Sequence, residues 1–128
     1  MNRVLGIDYG ERRIGLAIAD EGSTLAVGLD VLQNNGVKEL CDELAKIVAA
    51  ENVSQIVVGM PLTLKGEIGP QAIVVQEFVN AFRERVSLPV DTIDERFTSV
   101  AAVKAGAAQK DIGAAVEILQ TYLEREHS

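Results

Sequence analysis

A single cysteine, Cys41, stands among the 128 residues, so no internal disulfide can form. No run approaches the roughly 20 consecutive apolar residues that a membrane span needs. The opening stretch MNRVLGID carries no secretory signal pattern. Together these absences predict a cytoplasmic chain with no membrane partner. Repeats, low-complexity tracts and linkers are missing too, and 128 residues fit one domain, 1–128, with one core. Positive charge is also scarce. Twelve Lys and Arg stand against nineteen Asp and Glu, a formal charge of -7. Non-specific nucleic-acid binders are usually basic, because phosphate neutralisation dominates their affinity. An acidic chain can do the same work only if its cations are local and some of its carboxylates carry divalent metal.

What is present is a regular alternation of apolar segments. Residues 3–8 (RVLGID), 13–19 (RIGLAIA) and 24–33 (TLAVGLDVLQ) read as three strands of an antiparallel meander. A helix follows over 37–52, with Leu40, Leu44, Ile47 and Val48 at helical spacing and Cys41 beside them as a small buried thiol. Residues 54–60 (SQIVVGM) form an almost wholly apolar strand suited to the middle of a sheet. After a polar loop, Pro70 opens a helix over 71–86 with Ile73, Val74, Phe78, Phe82 and Val86 inward. A fifth strand spans 88–94, Thr98 or Ser99 caps a helix to about Ala105, and a last helix runs from Asp111 to about Glu124. The order predicts an α/β fold. Three antiparallel strands, then parallel strands added by helical crossovers, make a mixed five-stranded sheet flanked by helices.

Three acids sit at the edges of elements whose neighbours are core: Asp8 ends the first strand, Glu95 follows the fifth, and Asp111 opens the last helix. Asp111 lies one turn before Ala115 and so belongs to that helix's apolar stripe. With the first and fifth strands interior to the sheet and the last helix across them, the three carboxylates converge. Two carboxylates about 5 Å apart repel by roughly 3 kcal/mol at an effective dielectric near 20. Such a cluster is tolerable when it holds a cation, and magnesium or manganese prefer oxygen ligands. A pair of such ions can activate water against a phosphodiester. Each acid also has a plainer role. Asp8 could cap the hairpin turn, Asp111 could be an N-cap, and Glu95 could pair with Arg96. Asp94 competes with Glu95, since alternation sends them to opposite faces.

Four blocks in register, GIDYGERRIGLAIAD, IVVGMPLTLKGEIGPQA, DERFTS and DIGAAVEILQTYL, strongly resemble the YqgF family of RuvX-like Holliday junction resolvases. The resemblance covers essentially the whole chain. It implies a ribonuclease H-like fold and metal-dependent phosphodiester hydrolysis by an acidic triad, in processing of the 5′ end of precursor 16S ribosomal RNA. Carried over by motif, the triad is Asp8, Glu95 and Asp111, with Mg2+ or Mn2+ as cofactor, and the choice of Glu95 over Asp94 leans on the family. One departure stands out. Family members carry a longer basic segment before the last acid, whereas VAAVKAGAAQKD holds only Lys104 and Lys110.

Arg13 and Arg96 flank proposed metal ligands and suit bidentate phosphate contacts, while Arg12 is as well placed to pair with Glu11. In GMPLTLKGEIGPQ, the glycines and the helix start allow close approach of an anion, and Lys65 adds charge. Its spacing is not that of a P-loop. Tyr9 could stack on a base or shield the strand edge. The partners expected are structured RNA or four-way DNA junctions, and a pre-ribosomal particle. Junction cutting would call for a homodimer rather than a monomer. A non-catalytic nucleic-acid or ribosome-binding module is the alternative from outside enzymology, favoured by the acidic balance.

Overall fold

The computed structural model describes residues 2–61, 65–94 and 107–126, and of residues 107–111 the backbone alone. Eight elements follow one another: β1 (Arg3–Tyr9), β2 (Arg13–Asp20), β3 (Val27–Gln33), α1 (Val37–Ala50), β4 (Val53–Met60), α2 (Pro70–Arg85), β5 (Val90–Asp94) and α3 (Ala107–Glu126). The strands form one sheet in the order β3-β2-β1-β4-β5. β1–β2 and β2–β3 pair antiparallel, whereas β1–β4 and β4–β5 pair parallel. The expected mixed sheet is therefore the sheet observed. One position differs: β5 lies at the edge, separated from β1 by β4, because α2 carries the chain outward past β4 rather than back across it. The expectation that the first and fifth strands are both interior is corrected for the fifth.

Strand alternation divides the core between two faces. Leu5, Ile7, Ile14, Leu16, Ile56 and Val58 pack with Leu40, Cys41 and Leu44 of α1 and with Ala72, Val75, Phe78, Val79 and Phe82 of α2. On the other face Val4, Ala17, Ala19, Val57 and Ile93 pack against Ala115, Ile118, Leu119 and Leu123 of α3. Among the described residues the result is a helix–sheet–helix sandwich with two helices on one side and one on the other.

Several sequence expectations need correction. The inward face of α2 runs through Ala72, Val75, Phe78, Val79 and Phe82, leaving Ile73 50% and Val74 44% exposed. The run AIVV is apolar on every side, so its composition does not choose a face; the two phenylalanines do. β3 begins at Val27 rather than at 24, since Ser23 and Leu25 belong to a turn closed by the Leu25 N–H to Ser23 Oγ bond (3.0 Å). α3 starts four residues before Asp111, so Asp111 sits within the helix and is not its N-cap. The short helix expected from Thr98 or Ser99 falls outside the described residues. Cys41 is buried, and burial followed by the neighbouring Asp42 raises its thiol pKa. It is an inert core residue. Among the described residues no helix is long and apolar enough to cross a membrane.

Candidate active site

β1 and β4, both central and apolar, run parallel with β5, so their C-terminal ends share one edge of the sheet. Asp8 is the next-to-last residue of β1, half-buried, and pairs in the ladder with Gly15 of β2. Its neighbours of like parity, Val4 and Gly6, face α3, so Asp8 belongs to that side. The strand positions beside it carry no side chains. Gly15 is directly opposite, and the β1–β4 register, which pairs Ile7 with Val58, brings Gly59 alongside on the other flank. A carboxylate thus stands in a clearing between two glycines. Composition gave no hint of it; the signal in the sequence was the glycine of RIGLA and the glycine of VVGMP, which stand level with the aspartate of GIDYG.

α3 lies unusually close to this face. A Cβ on Gly6 would come within 2.7 Å of Leu119 Cβ and 3.3 Å of the Ala115 carbonyl oxygen. At its other end α3 is fastened to the opposite edge of the sheet. Gln55 Nε2 donates to Asp91 Oδ2 at 2.7 Å and to the Tyr122 hydroxyl, which donates to the same Asp91 oxygen at 3.2 Å. Burial, then a hydrogen bond with Glu126 and the charge of Asp91, raises the Tyr122 pKa beyond its ordinary value. The Ala26 N–H donates to Gln120 Oε1 at 3.0 Å. The helix therefore runs from the N-terminal ends of β4 and β5 toward the edge that carries Asp8.

Of the other expected site residues, Arg13 opens β2, half-buried, on the α3 side by parity with Gly15 and Ala17. It is the diagonal cross-strand neighbour of Asp8. Lys65 is exposed in the β4–α2 connection, which leaves the same edge, and Arg12 is exposed in the β1–β2 turn. Arg3 bridges Asp20 (3.3 Å) and Glu51 (2.7 Å), Arg83 donates to the Val90 carbonyl (2.6 Å), and Arg85 pairs with Asp42 (3.2 Å).

Tyr9 is a correction. Its ring stacks on Phe78 at 4.8 Å between centroids and is 8% exposed, so it belongs to the α2 face of the core rather than to a base. Odd positions of β1 face that side. Asp94 also lies away from Asp8: it pairs with Met60, a residue of the α1–α2 core, while Ile93 faces α3. Glu95 and Arg96 lie outside the described residues, and Asp111 is described through its backbone alone. Among the described residues no group of three His, Cys, Asp or Glu is placed to hold a metal.

A concavity of about 330 Å³ opens at this edge, lined by Tyr9, Glu11, Asn34, Pro70, Gln71 and Val74. A larger one, about 610 Å³, lies between α1 and α2 on the far side of the sheet.

A family model described as RuvX, Holliday junction resolvase, matches residues 2–125. The chain belongs to the RuvX family. RuvX relatives bear this out: a protein of Chloroflexus aggregans named "Putative pre-16S rRNA nuclease" is 41% identical over 131 residues, covering 94% of this chain and 92% of its own length. One of the same name from Syntrophomonas wolfei is 39% identical over 132 residues, covering 95% and 94%. Both alignments are longer than the 128-residue chain, so those RuvX relatives carry residues that this one lacks. Among solved structures, Thermus thermophilus RuvC in complex with a Holliday junction superimposes with a TM-score of 0.66 at 13% identity, covering 100% of this chain and 97% of that one. The fowlpox virus resolvase bound to junction DNA gives 0.60, also at 13%, covering 98% and 99%. At such identities the likeness establishes the fold, the ribonuclease H-like fold expected from the motifs. The chain is thus a RuvX-family hydrolase of the nuclease type.

Proposed function

We propose that this RuvX protein is a metal-dependent endonuclease that cuts precursor 16S ribosomal RNA near its 5′ end, on a pre-ribosomal particle in the cytoplasm. Asp8, Glu95 and Asp111 would hold Mg2+ or Mn2+. The observation that carries the proposal is the seating of α3 on Gly6. From that contact, two residues of β1 climb about 6.6 Å to Asp8. Four residues of α3 run about 6 Å in the same sense to residue 111. Two chain segments a hundred residues apart thus bring carboxylate positions toward one spot. Glu95 lies outside the described residues, and its support is the resemblance carried by the DERFTS motif.

The clearing suits a hydrated hard cation. Gly15 and Gly59 leave room for water and for a substrate phosphate, and an aspartate is the oxygen donor such ions favour. A divalent ion held there supplies an activated water and stabilises the leaving oxygen. The chain's own residues do the rest. Asp8, on a central strand, offers its carboxylate from a backbone fixed by ladders on both sides. Arg13, one diagonal away, would clamp the scissile phosphate, as would Arg96, while Lys65 and Arg12 would draw the flanking backbone to the same edge. Local placement of cations at this edge answers the objection raised by the net charge of -7.

Incubating the purified protein with precursor 16S RNA and Mg2+ or Mn2+, beside Asp8→Asn, tests the proposal. Wild type should cleave, and Asp8→Asn should lose cleavage while keeping its circular dichroism spectrum. Equal cleavage by both would remove Asp8 from the mechanism. Junction resolution is the second reading, favoured by the description of the family itself. It requires a homodimer with paired sites, and symmetric cutting of a four-way DNA junction in a parallel assay would select it. Binding of RNA with no cleavage under either metal would select the non-catalytic module.

A further inference from the structure

The β1–β2 turn that separates Asp8 from Arg13 is tied to the chain beyond β3. Two of its carbonyls, those of Gly10 and Arg12, accept hydrogen bonds from one residue, Asn34, which follows β3. The Asn34 backbone N–H donates to the Arg12 carbonyl at 2.9 Å, and its side-chain Nδ2 donates to the Gly10 carbonyl at 2.9 Å. The remaining side-chain atom, Oδ1, accepts the Gly36 N–H at 3.1 Å, one residue before α1 begins. One asparagine therefore ties together the turn, the end of β3 and the start of α1. The turn itself is tight: a Cβ on Gly10 would lie 2.4 Å from the Arg13 carbonyl oxygen. Any slackening at Gly10 or Arg12 is transmitted to the strand residues on either side, Asp8 two positions before Gly10 and Arg13 immediately after Arg12.

We propose that Asn34 is a positioning residue of the nuclease site, setting the separation of Asp8 from Arg13 through the Gly10 and Arg12 carbonyls. The proposal rests on the nuclease reading above. Asn34 touches neither substrate nor metal; it acts through the turn. Asparagine is the residue that fits, because it must donate from Nδ2 and accept at Oδ1 at the same time. Aspartate keeps the shape and the acceptor and loses the donor; alanine loses both.

The test uses Asn34→Asp and Asn34→Ala beside wild type, with Arg85→Ala as a control that breaks an exposed ion pair remote from the turn. Mn2+ binding is read by titration calorimetry, single-turnover cleavage of precursor 16S RNA gives the rate, and thermal unfolding reports the fold. Outer partners of metal ligands typically contribute 10–100-fold to affinity or activity. The expected result is about a tenfold or greater loss of Mn2+ affinity and of kcat in both Asn34 variants, with KM for RNA within about twofold. Arg85→Ala should match wild type in all three. Wild-type Mn2+ affinity in either Asn34 variant overturns the positioning role and leaves the nuclease reading standing. Loss of folding in both variants would also overturn it, assigning Asn34 to the fold. If wild type neither binds Mn2+ nor cleaves, it is the nuclease reading that falls, and the role of Asn34 with it.

Discussion

The two faces of the sheet are built from different materials. Toward α1 and α2 the strands present Leu5, Ile7, Ile14, Leu16 and Ile56, met by Leu40, Leu44, Phe78 and Phe82, all essentially without exposure. Toward α3 the same strands present Gly6, Gly15, Ala17 and Ala19 beside Val4 and Val57, and the helix replies with Ala115 among Ile118, Leu119 and Leu123. Bulk excludes water and supplies most of the hydrophobic free energy. Small residues supply less of it, but they bring a helix backbone almost onto the sheet. One face holds the protein together, and the other lets the backbone of α3 lie close against β1, the strand that carries Asp8. The difference is a division of labour between bulk and close approach.

Three substitutions probe that division, in descending order of effect, with Gly28→Ala as a companion to the second. Phe78→Ala attacks the bulky face, where the ring stacks on both Tyr9 and Phe82. It should cost about 3–5 kcal/mol in urea unfolding, the usual range for a buried aromatic. Surviving folded molecules should retain their cleavage rate per molecule.

Gly6→Ala attacks the thin face. The new methyl would meet a helix Cβ at 2.7 Å and a helix carbonyl oxygen at 3.3 Å. Neither is the end of a flexible side chain, so α3 must shift. Overpacking of this kind costs about 1–3 kcal/mol. Cleavage should fall further than the stability loss explains, since the shift displaces residue 111 from Asp8. Gly28→Ala would meet the Ile112 Cγ2 methyl at 2.4 Å, on a side chain stiff at χ1 within a helix, so it too should push on α3.

Tyr122→Phe is the smallest of the three, removing one hydroxyl from the Gln55–Asp91 cluster, about 1 kcal/mol at neutral pH. Its pH signature is more telling. The hydroxyl pKa is raised in the folded state from its usual value of 10.0. Its contribution is therefore fully present below pH 10 and is lost as pH rises above it. Wild type should lose stability at alkaline pH faster than Tyr122→Phe, measured by urea midpoints from pH 8 upward.

Much of the bulky face was legible before any coordinates, because Leu40, Leu44, Phe78 and Phe82 recur at helical spacing among polar residues. Ile73 and Val74 misled because they stand between Ala72 and Val75 in one apolar run, and nothing local distinguishes inside from outside. The thin face was harder to read. Glycine and alanine carry little periodic signal, so the approach of α3 to Gly6 and the clearing between Gly15 and Gly59 emerge only from register. Asp8 was legible as a carboxylate out of place at the end of an apolar strand. Tyr9 was ambiguous by nature, and pleat parity sends its ring to Phe78. The edge position of β5 could not be read either, because chain order alone does not say on which side of β4 a crossover lands.

The closing helix α3 has a consequence for the protein's life on the ribosome. Chains emerge from the N-terminus, so the five strands and the bulky core can assemble while α3 is still being made. Throughout that interval Val4, Ala17, Val57 and Ile93 face water, and the aspartate of β1 has no helix opposite. A half-made molecule is therefore adhesive, and it needs protection from its neighbours until its last helix lands.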